Sequence, residues 1–258
     1  MELNYTNYIK VNELLALIDP RSEEHDEVLF IVIHQTYELW FKLLLHELDK
    51  TARDLEGGDL YGAIATVKRA RTVMKTLVGQ MDILETMTPL SFSSFRDRLE
   101  SASGFQSVQY RELEFALGYK RPDTLQYYQS DSEGLKRLQA RLQSRSLIDS
   151  FYLFLEKLGL QIPNELKQKK VEEANVSSPE LQKGLITLYR ERKDVAILLE
   201  LMTDFDEGLQ EWRYRHVKLV ERTIGNKQGT GGSLGVEFLK RSLFKPIFPD
   251  LWEIRHEF

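Results

Sequence analysis

The sequence contains no cysteine among its 258 residues. This absence excludes disulfide bonds, thiolate-based zinc sites, iron–sulfur clusters, thiolate-ligated haem and covalently attached c-type haem. An excess of positive charge is also missing, because 35 lysines and arginines stand against 40 aspartates and glutamates, which gives a net charge of −5. Neither nucleic acid nor an anionic membrane is therefore expected as a partner.

Long apolar runs are missing as well. The longest uninterrupted one is Val28 to Ile33, far shorter than the ~20 residues that a helix needs to cross a bilayer. The N-terminus begins Met-Glu-Leu-Asn-Tyr and has no basic region followed by an apolar stretch, so no signal peptide is expected. With the lack of cysteine, these features predict a cytoplasmic protein that has no membrane partner.

Strand patterns are scarce, and helical signals dominate the chain. Residues 26–55 are strongly apolar and free of glycine and proline, and Gly57 and Gly58 would end that helix. Further helices are predicted over 61–87, 91–101, 106–118, 132–143, 147–158, 179–205 and 207–224. The sequence thus predicts an all-α protein, with one domain over 1–258 built as a bundle of long helices with shorter helices around it.

One candidate functional residue lies inside the first long helix. His34 is at helical spacing from Phe30 and Glu38, so the three side chains share a face. A histidine this deep in an apolar helix needs a polar partner or a ligand to offset its desolvation. On this segment alone, a hydrogen-bonded core histidine is the more common explanation.

A second candidate lies near the end of the last long helix. An inward stripe at spacings of three and four is formed by Leu209, Trp212, His216, Leu219 and Thr223. One histidine between a tryptophan and aliphatic side chains is the setting of an axial haem ligand. A core histidine fits this segment equally well.

The glycine-rich segment 225–235 follows directly and holds five glycines in eleven residues. Such a loop can approach a ligand closely and offer backbone N–H groups. A phosphate-binding loop would need a preceding strand and a Gly-Lys-Ser/Thr ending, and both are missing. A nucleotide site is therefore not expected here.

Phe92 and Arg96 lie four residues apart on a predicted short helix and face the same way. An aromatic ring beside a guanidinium suits a ligand that has a flat ring and a carboxylate. A surface arginine packed on a phenylalanine would give the same pattern. A di-iron bundle is not predicted, since it needs two Glu-x-x-His pairs and only Glu253 and His256 have that spacing.

Taken together, these segments resemble the tryptophan 2,3-dioxygenase family in order and approximate spacing. The motifs are Phe-Ile-Val-Ile-His-Gln-Thr-Tyr-Glu-Leu-Trp-Phe-Lys (30–42), Ser-Gly-Phe-Gln-Ser-Val-Gln-Tyr-Arg (103–111), Trp-Arg-Tyr-Arg-His (212–216) and Gly-Thr-Gly-Gly-Ser (229–233). The segments 5–8 and 248–252 are also similar to the family. The resemblance spans nearly the whole chain and is weakest between about 120 and 200, where only the helical character matches.

The resemblance implies an enzyme that uses haem and O2 to cleave the indole C2–C3 bond of L-tryptophan. The product would be N-formyl-L-kynurenine, and the reaction would be the first step of the kynurenine pathway. His216 would be the axial ligand of a b-type haem that is ferrous in the active state. His34 would be the catalytic histidine that hydrogen-bonds the indole N–H, and Trp212 is expected beside the cofactor.

The same resemblance assigns the remaining site residues. Arg96 would pair with the substrate carboxylate, and the Thr230 hydroxyl would lie near the substrate's ammonium and carboxylate groups. Phe30 and Phe92 would form the walls of the indole pocket. The loop 225–235 departs from the family pattern at its Leu234, where a second serine is expected.

Other parts of the chain are implied to contact the cofactor or a neighbouring subunit. Ser103 and Gly104 would lie close to the haem on its distal side. Tyr5 and Tyr8, in an N-terminal arm over 1–20, would reach into a neighbouring subunit's substrate site, so a homotetramer is expected.

Three alternatives stay open at the level of sequence. The first is a related haem enzyme that oxygenates another indole or aromatic amino acid. The second is a non-catalytic haem-binding or gas-sensing protein, which has no use for an arginine in the pocket. The third is a helical interaction module whose buried histidines bind no haem.

Overall fold

The computed structural model describes residues 3–130, 132–170, 173, 176–225, 227 and 235–258. Across these ranges the chain forms thirteen α-helices and four short 3-10 helices and has no strand, which confirms the all-α prediction. The α-helices are α1 (Tyr5–Tyr8), α2 (Val11–Leu15), α3 (His25–Gly57), α4 (Leu60–Leu84), α5 (Pro89–Arg96), α6 (Val108–Ala116), α7 (Glu133–Leu142), α8 (Leu147–Lys157), α9 (Asn164–Lys167), α10 (Pro179–Glu191), α11 (Lys193–Ile224), α12 (Val236–Lys240) and α13 (Pro249–Glu253). The 3-10 helices are Asp97–Leu99, Gly104–Gln106, Pro122–Tyr127 and Ile254–Glu257.

The helix α4 is the centre of the bundle, because both of the other long helices, α3 and α11, pack against it. Helix α3 also packs against α6 and α8. The turn between α3 and α4 follows from sequence: Gly58 adopts a left-handed φ of 82° at the end of α3, and Asp59 accepts a hydrogen bond from the Gly62 N–H at the start of α4. The two helices therefore run antiparallel with a short connection.

By length and composition, α3 could cross a membrane. In the structure it lies against four other helices, α4, α5, α6 and α8, and it carries the buried carboxylates of Glu27 and Glu47. Glu27 accepts hydrogen bonds from the backbone N–H groups of Arg21 and Ser22, and Glu47 pairs with Arg69. These contacts are typical of a core helix.

One predicted helix boundary is wrong. The sequence predicted helices over 179–205 and 207–224, whereas α10 ends at Glu191 and α11 runs unbroken from Lys193 to Ile224. The break falls at Arg192, whose φ of −117° and ψ of 84° leave the helical region.

Helix α11 continues through Asp206 because that carboxylate is satisfied by a distant part of the chain. Its Oδ2 atom accepts hydrogen bonds from the N–H groups of Ile247 (2.9 Å) and Phe248 (3.1 Å) and from Nε1 of Trp252 (3.0 Å). A fully buried aspartate can thus lie in mid-helix. These bonds also fasten the C-terminal segment to α11.

Candidate active site

A cavity of about 260 Å³ lies between α3, α5, α6, α11 and α12. Eight of the eleven site residues predicted from the sequence line it. They are Phe30, His34, Phe92, Arg96, Ser103, Gly104, Trp212 and His216. The fold therefore brings together side chains that are far apart along the chain.

His34 enters the cavity from α3. Its Nδ1 lies 2.7 Å from the carbonyl oxygen of Phe30, one turn earlier. A carbonyl oxygen only accepts, so Nδ1 carries the proton and Nε2 is left as an acceptor. Burial lowers the pKa of His34, and the Phe30 hydrogen bond and the charge of Glu38 oppose that effect only in part. The ring is therefore neutral at pH 7.

His216 enters the same cavity from α11. Its ring stacks on Trp212, with centroids 5.0 Å apart and an angle of 20° between the planes. Burial, with a smaller contribution from His34, lowers the pKa of His216 to about 4. A neutral imidazole is the form that binds a metal. Among the described residues no hydrogen bond occupies either ring nitrogen.

Aromatic side chains form the cavity wall beside His34. The Phe30 ring lies 4.1 Å from the His34 ring and 5.7 Å from both Phe92 and Phe95, measured between centroids. Phe95 was not among the predicted site residues; it is fully buried and packs behind Phe30 and Phe92 without lining the cavity itself. Its position three residues after Phe92 on a short helix was the available signal.

The wall beside His216 is also aromatic. The Trp212 ring lies 6.0 Å from Phe41, 6.1 Å from Tyr37 and 5.0 Å from Tyr110. Tyr37 donates its hydroxyl hydrogen to the Leu77 carbonyl at 2.9 Å. The sequence stripe identified only Trp212, because the other three rings come from α3 and α6.

The remaining predicted residues on the cavity wall are polar or small. Arg96 is the last residue of α5 and is half-buried. Ser103 begins the 3-10 helix Gly104–Gln106, and its Oγ accepts a hydrogen bond from the Phe105 N–H at 3.4 Å. A Cβ atom added to Gly104 would meet no other atom within 4 Å, so this stretch of backbone borders open space.

Three predicted residues are not part of the cavity as described. Tyr5 and Tyr8 lie on α1 and are 75% and 71% exposed, and neither lines the cavity. Thr230 lies outside the described residues, as does Leu234. The predicted roles of these side chains stay predictions.

A charged group on the cavity wall was missed by the sequence analysis. Arg111, Arg121 and Arg213 surround Glu114, and we call these four residues the arginine cluster. Arg111 donates to Glu114, Arg121 Nη2 donates to it at 2.9 Å, and Arg213 Nη2 lies 3.7 Å away. The Tyr119 ring lies between two of the guanidiniums, 4.9 Å from Arg121 and 5.0 Å from Arg213.

Electrostatics within the cluster favour ionised groups. Burial alone would raise the pKa of Glu114, but the three arginines outweigh burial and hold that pKa below its usual range. All four side chains line the cavity. Because Arg111 and Glu114 come from α6 and Arg213 from α11, no single segment revealed the cluster.

The donor set of the cavity fits a haem. In the part of the chain that the structure describes, no group of three or more His, Asp or Glu side chains could hold a metal ion by itself. His216 instead offers one neutral nitrogen against aromatic walls, so a metal bound there needs its other ligands from elsewhere. A porphyrin supplies four nitrogens in a plane and needs one axial imidazole.

Comparison with known proteins agrees with the resemblance seen in the sequence. The profile of the family described as tryptophan 2,3-dioxygenase matches residues 1–161 and 169–257. A curated relative of that name from Herpetosiphon aurantiacus is 54% identical over 255 residues, covering 98% of this chain and 97% of its own length. Relatives of the same name from Anaeromyxobacter dehalogenans (48% over 253 residues) and Kineococcus radiotolerans (42% over 261 residues) cover 98% and 99% of this chain and 95% and 91% of their own lengths.

These matches extend over nearly the full chain and include every described residue that lines the cavity. The chain belongs to the tryptophan 2,3-dioxygenase family.

Proposed function

We propose that this chain holds haem through His216, binds L-tryptophan against His34 and Arg96, and cleaves the indole C2–C3 bond with O2. The product is N-formyl-L-kynurenine. Membership of a haem-dependent family that acts on tryptophan supports the reaction and the substrate. The observation that carries the residue roles is that two neutral histidines from α3 and α11 line one aromatic cavity together with Arg96.

His216 has the properties that an axial ligand requires. Its pKa of about 4 leaves the ring neutral at pH 7, and stacking on Trp212 fixes the plane of the ring. When bound at His216, haem would supply the iron chemistry that the use of O2 requires. The lack of cysteine excludes covalent c-type attachment of the porphyrin, and the b type of the haem rests on the resemblance to the family.

His34 has the properties of a group that orients the substrate. The hydrogen bond from Nδ1 to the Phe30 carbonyl leaves Nε2 as an acceptor, which suits the N–H of an indole. An indole nitrogen is a very weak acid, and a histidine of lowered pKa is a poor base for it. We therefore assign His34 to holding the indole in place rather than to removing its proton.

Arg96 and the aromatic wall would bind the two ends of the amino acid. The Arg96 guanidinium can pair with a carboxylate through two hydrogen bonds. Phe30 and Phe92 offer a face for the indole ring, and exclusion of water from such a wall strengthens the ion pair. A role for Thr230 near the ammonium group rests on the resemblance to the family.

The roles of the N-terminal arm also rest on the resemblance. Tyr5 and Tyr8 would complete the substrate site of a neighbouring subunit in a homotetramer. Their high exposure in the single chain is consistent with that role.

The first experiment is a spectrum of the haem-loaded, reduced protein in air, before and after addition of L-tryptophan. The near-ultraviolet band of N-formyl-L-kynurenine should grow only when both oxygen and tryptophan are present. A haem spectrum without product would favour a related haem enzyme with another substrate. Failure to take up haem would overturn the proposed function.

A second experiment tests the carboxylate site with Arg96→Met. We expect the Kd for L-tryptophan to rise roughly 10- to 100-fold, the loss of one charge-assisted pair. Tryptamine lacks the carboxylate, so its Kd should change little. Arg98→Met, two residues away and exposed, is the matched control. An equal loss of affinity for both ligands would contradict the assignment.

A further inference from the structure

The arginine cluster carries more positive charge than its own partners neutralise. Three guanidiniums surround the single carboxylate of Glu114, and the side chains of Arg111, Glu114 and Arg213 are at most 4% exposed. Burying unbalanced charge in a protein interior is costly. The cluster as described is therefore incomplete without further negative charge.

Neighbouring groups provide that charge only in part. The hydroxyl groups of Tyr110 and Tyr128 lie beside the cluster, but burial raises the pKa of both, so they stay neutral. Glu112, on the same helix as Glu114, is paired with Arg137. Asp206 on α11 also attracts Arg213, but burial raises the pKa of Asp206 and its Oδ2 already accepts three hydrogen bonds from the C-terminal segment, so it offsets the excess charge only in part.

Several guanidinium hydrogens are also left without acceptors. The Nε atoms of Arg111, Arg121 and Arg213 and the Nη2 atom of Arg213 are buried and have no hydrogen-bond partner among the described residues. Arg213 does donate from Nη1 to the Lys245 carbonyl at 3.0 Å. Native proteins rarely leave buried N–H groups unsatisfied, so these atoms point to an acceptor that joins them from outside the chain.

The cluster is well placed for the edge of a cofactor held by His216. Arg213 precedes His216 by three residues, which puts both on the same side of α11, and both line the cavity. A haem whose iron is bound by His216 carries two propionate carboxylates on one edge of its ring. These two carboxylates and Glu114 together would match the three guanidiniums in charge.

We propose that the arginine cluster binds the propionate carboxylates of haem. This inference rests on the proposed function, because it assumes that haem is the cofactor at His216. It assigns to α6, as well as to α11, a direct part in holding the cofactor. It also explains why two buried arginines and a third, partly exposed one lie together beside an otherwise aromatic cavity.

The test compares haem with its dimethyl ester, in which both propionates are blocked, by titrating the apoprotein and following the haem absorption band. The wild-type chain should bind haem more tightly than the ester. Arg121→Met should weaken haem binding roughly 10- to 100-fold and leave binding of the ester unchanged. Arg121 is chosen because its side chain is 16% exposed, so its loss disturbs folding least, and Arg121→Gln serves if the methionine variant does not fold.

The matched control is Arg137→Met, since Arg137 also pairs with a glutamate of α6 but does not line the cavity. It should leave both affinities unchanged. Equal wild-type affinity for haem and ester, or an equal loss of both in Arg121→Met, would overturn the inference while leaving the proposed function intact. A loss of L-tryptophan affinity without a loss of haem affinity would assign the cluster to the substrate instead. Uptake of neither porphyrin by the wild type would overturn the proposed function itself.

Discussion

His34 and His216 are the same type of residue in the same cavity, yet their surroundings fit them for different tasks. The Nδ1 of His34 is tied to the Phe30 carbonyl, so one tautomer is fixed and one nitrogen faces a ligand as an acceptor. His216 has an aromatic neighbour but no hydrogen bond in the described part of the chain. Burial keeps both rings neutral, and the difference in hydrogen bonding is the basis for proposing that one ring orients a substrate and the other binds a metal.

The largest expected effect is on haem affinity, which should fall when His216 is replaced but not when His34 is replaced. His216→Ala should weaken haem binding roughly 1000-fold, because it removes the only axial ligand proposed, while His34→Ala should keep the cofactor. Titration of each apoprotein with haem measures both, and added imidazole should restore binding to His216→Ala. His46→Ala, at an exposed position of α3, is the control. Retention of haem by His216→Ala and its loss from His34→Ala would reverse the assignments.

The lowered pKa of His216 predicts how the apoprotein responds to acid. The unfolded chain takes up a proton near pH 6.5 and the folded chain only near pH 4. Stability is therefore full above pH 6.5 and falls as the pH drops toward 4, by up to about 3 kcal/mol from this residue. Chemical unfolding of the apoprotein at several pH values should show a shallower fall in His216→Leu. Parallel curves for the wild type and the variant would contradict the burial of this ring.

A smaller effect is expected where His34 is replaced. His34→Ala should lower kcat/KM for L-tryptophan about tenfold, the value of one hydrogen bond, and His34→Gln should lose less because its amide oxygen still accepts. With 1-methyl-tryptophan, which has no indole N–H, the wild type and the variants should perform alike. A loss of several orders of magnitude in both variants would instead favour proton removal by His34.

The smallest effect is expected for Gly104→Ala on the distal side. The added methyl meets no atom within 4 Å, so stability should change by no more than about 0.5 kcal/mol. The same methyl would narrow the cavity and lower kcat/KM a few-fold while leaving haem affinity unchanged. Gly79→Ala, which also adds a methyl into open space on α4, should leave the kinetics unaltered. Weaker haem binding by Gly104→Ala would place that backbone on the His216 side.

The long helices could be predicted because local signals define them. The apolar periodicity of α3 and the glycines at its end were visible in the sequence, and both were confirmed. The break between α10 and α11 was misplaced, because the sequence predicted it at position 206 and the structure has it at Arg192. The hydrogen-bond partners of Asp206, which are Ile247, Phe248 and Trp252, come from a distant segment, so only the tertiary structure shows why the helix continues there.

The site, like the fold, has a part that the sequence predicted and a part that only the tertiary structure shows. Motif resemblance identified His34, Arg96 and His216, and all three line the cavity. The arginine cluster was not predicted, because Arg111 and Glu114 lie in a segment whose sequence pattern is that of an ordinary amphipathic helix. Its meaning appears only when α6 and α11 come together around buried charge.

The tie between Asp206 and the C-terminal segment has a consequence for biosynthesis. Residues of α11 leave the ribosome before 247–252, so the Asp206 carboxylate lacks the three donors of that segment until it has been made. Burying a carboxylate with too few donors is unfavourable, so we expect α11 to pack less stably until residues 247–252 are present. The helix that carries His216 thus gains this support only once residues 247–252 have been made, and we expect that a chain shortened before them will bind the cofactor more weakly.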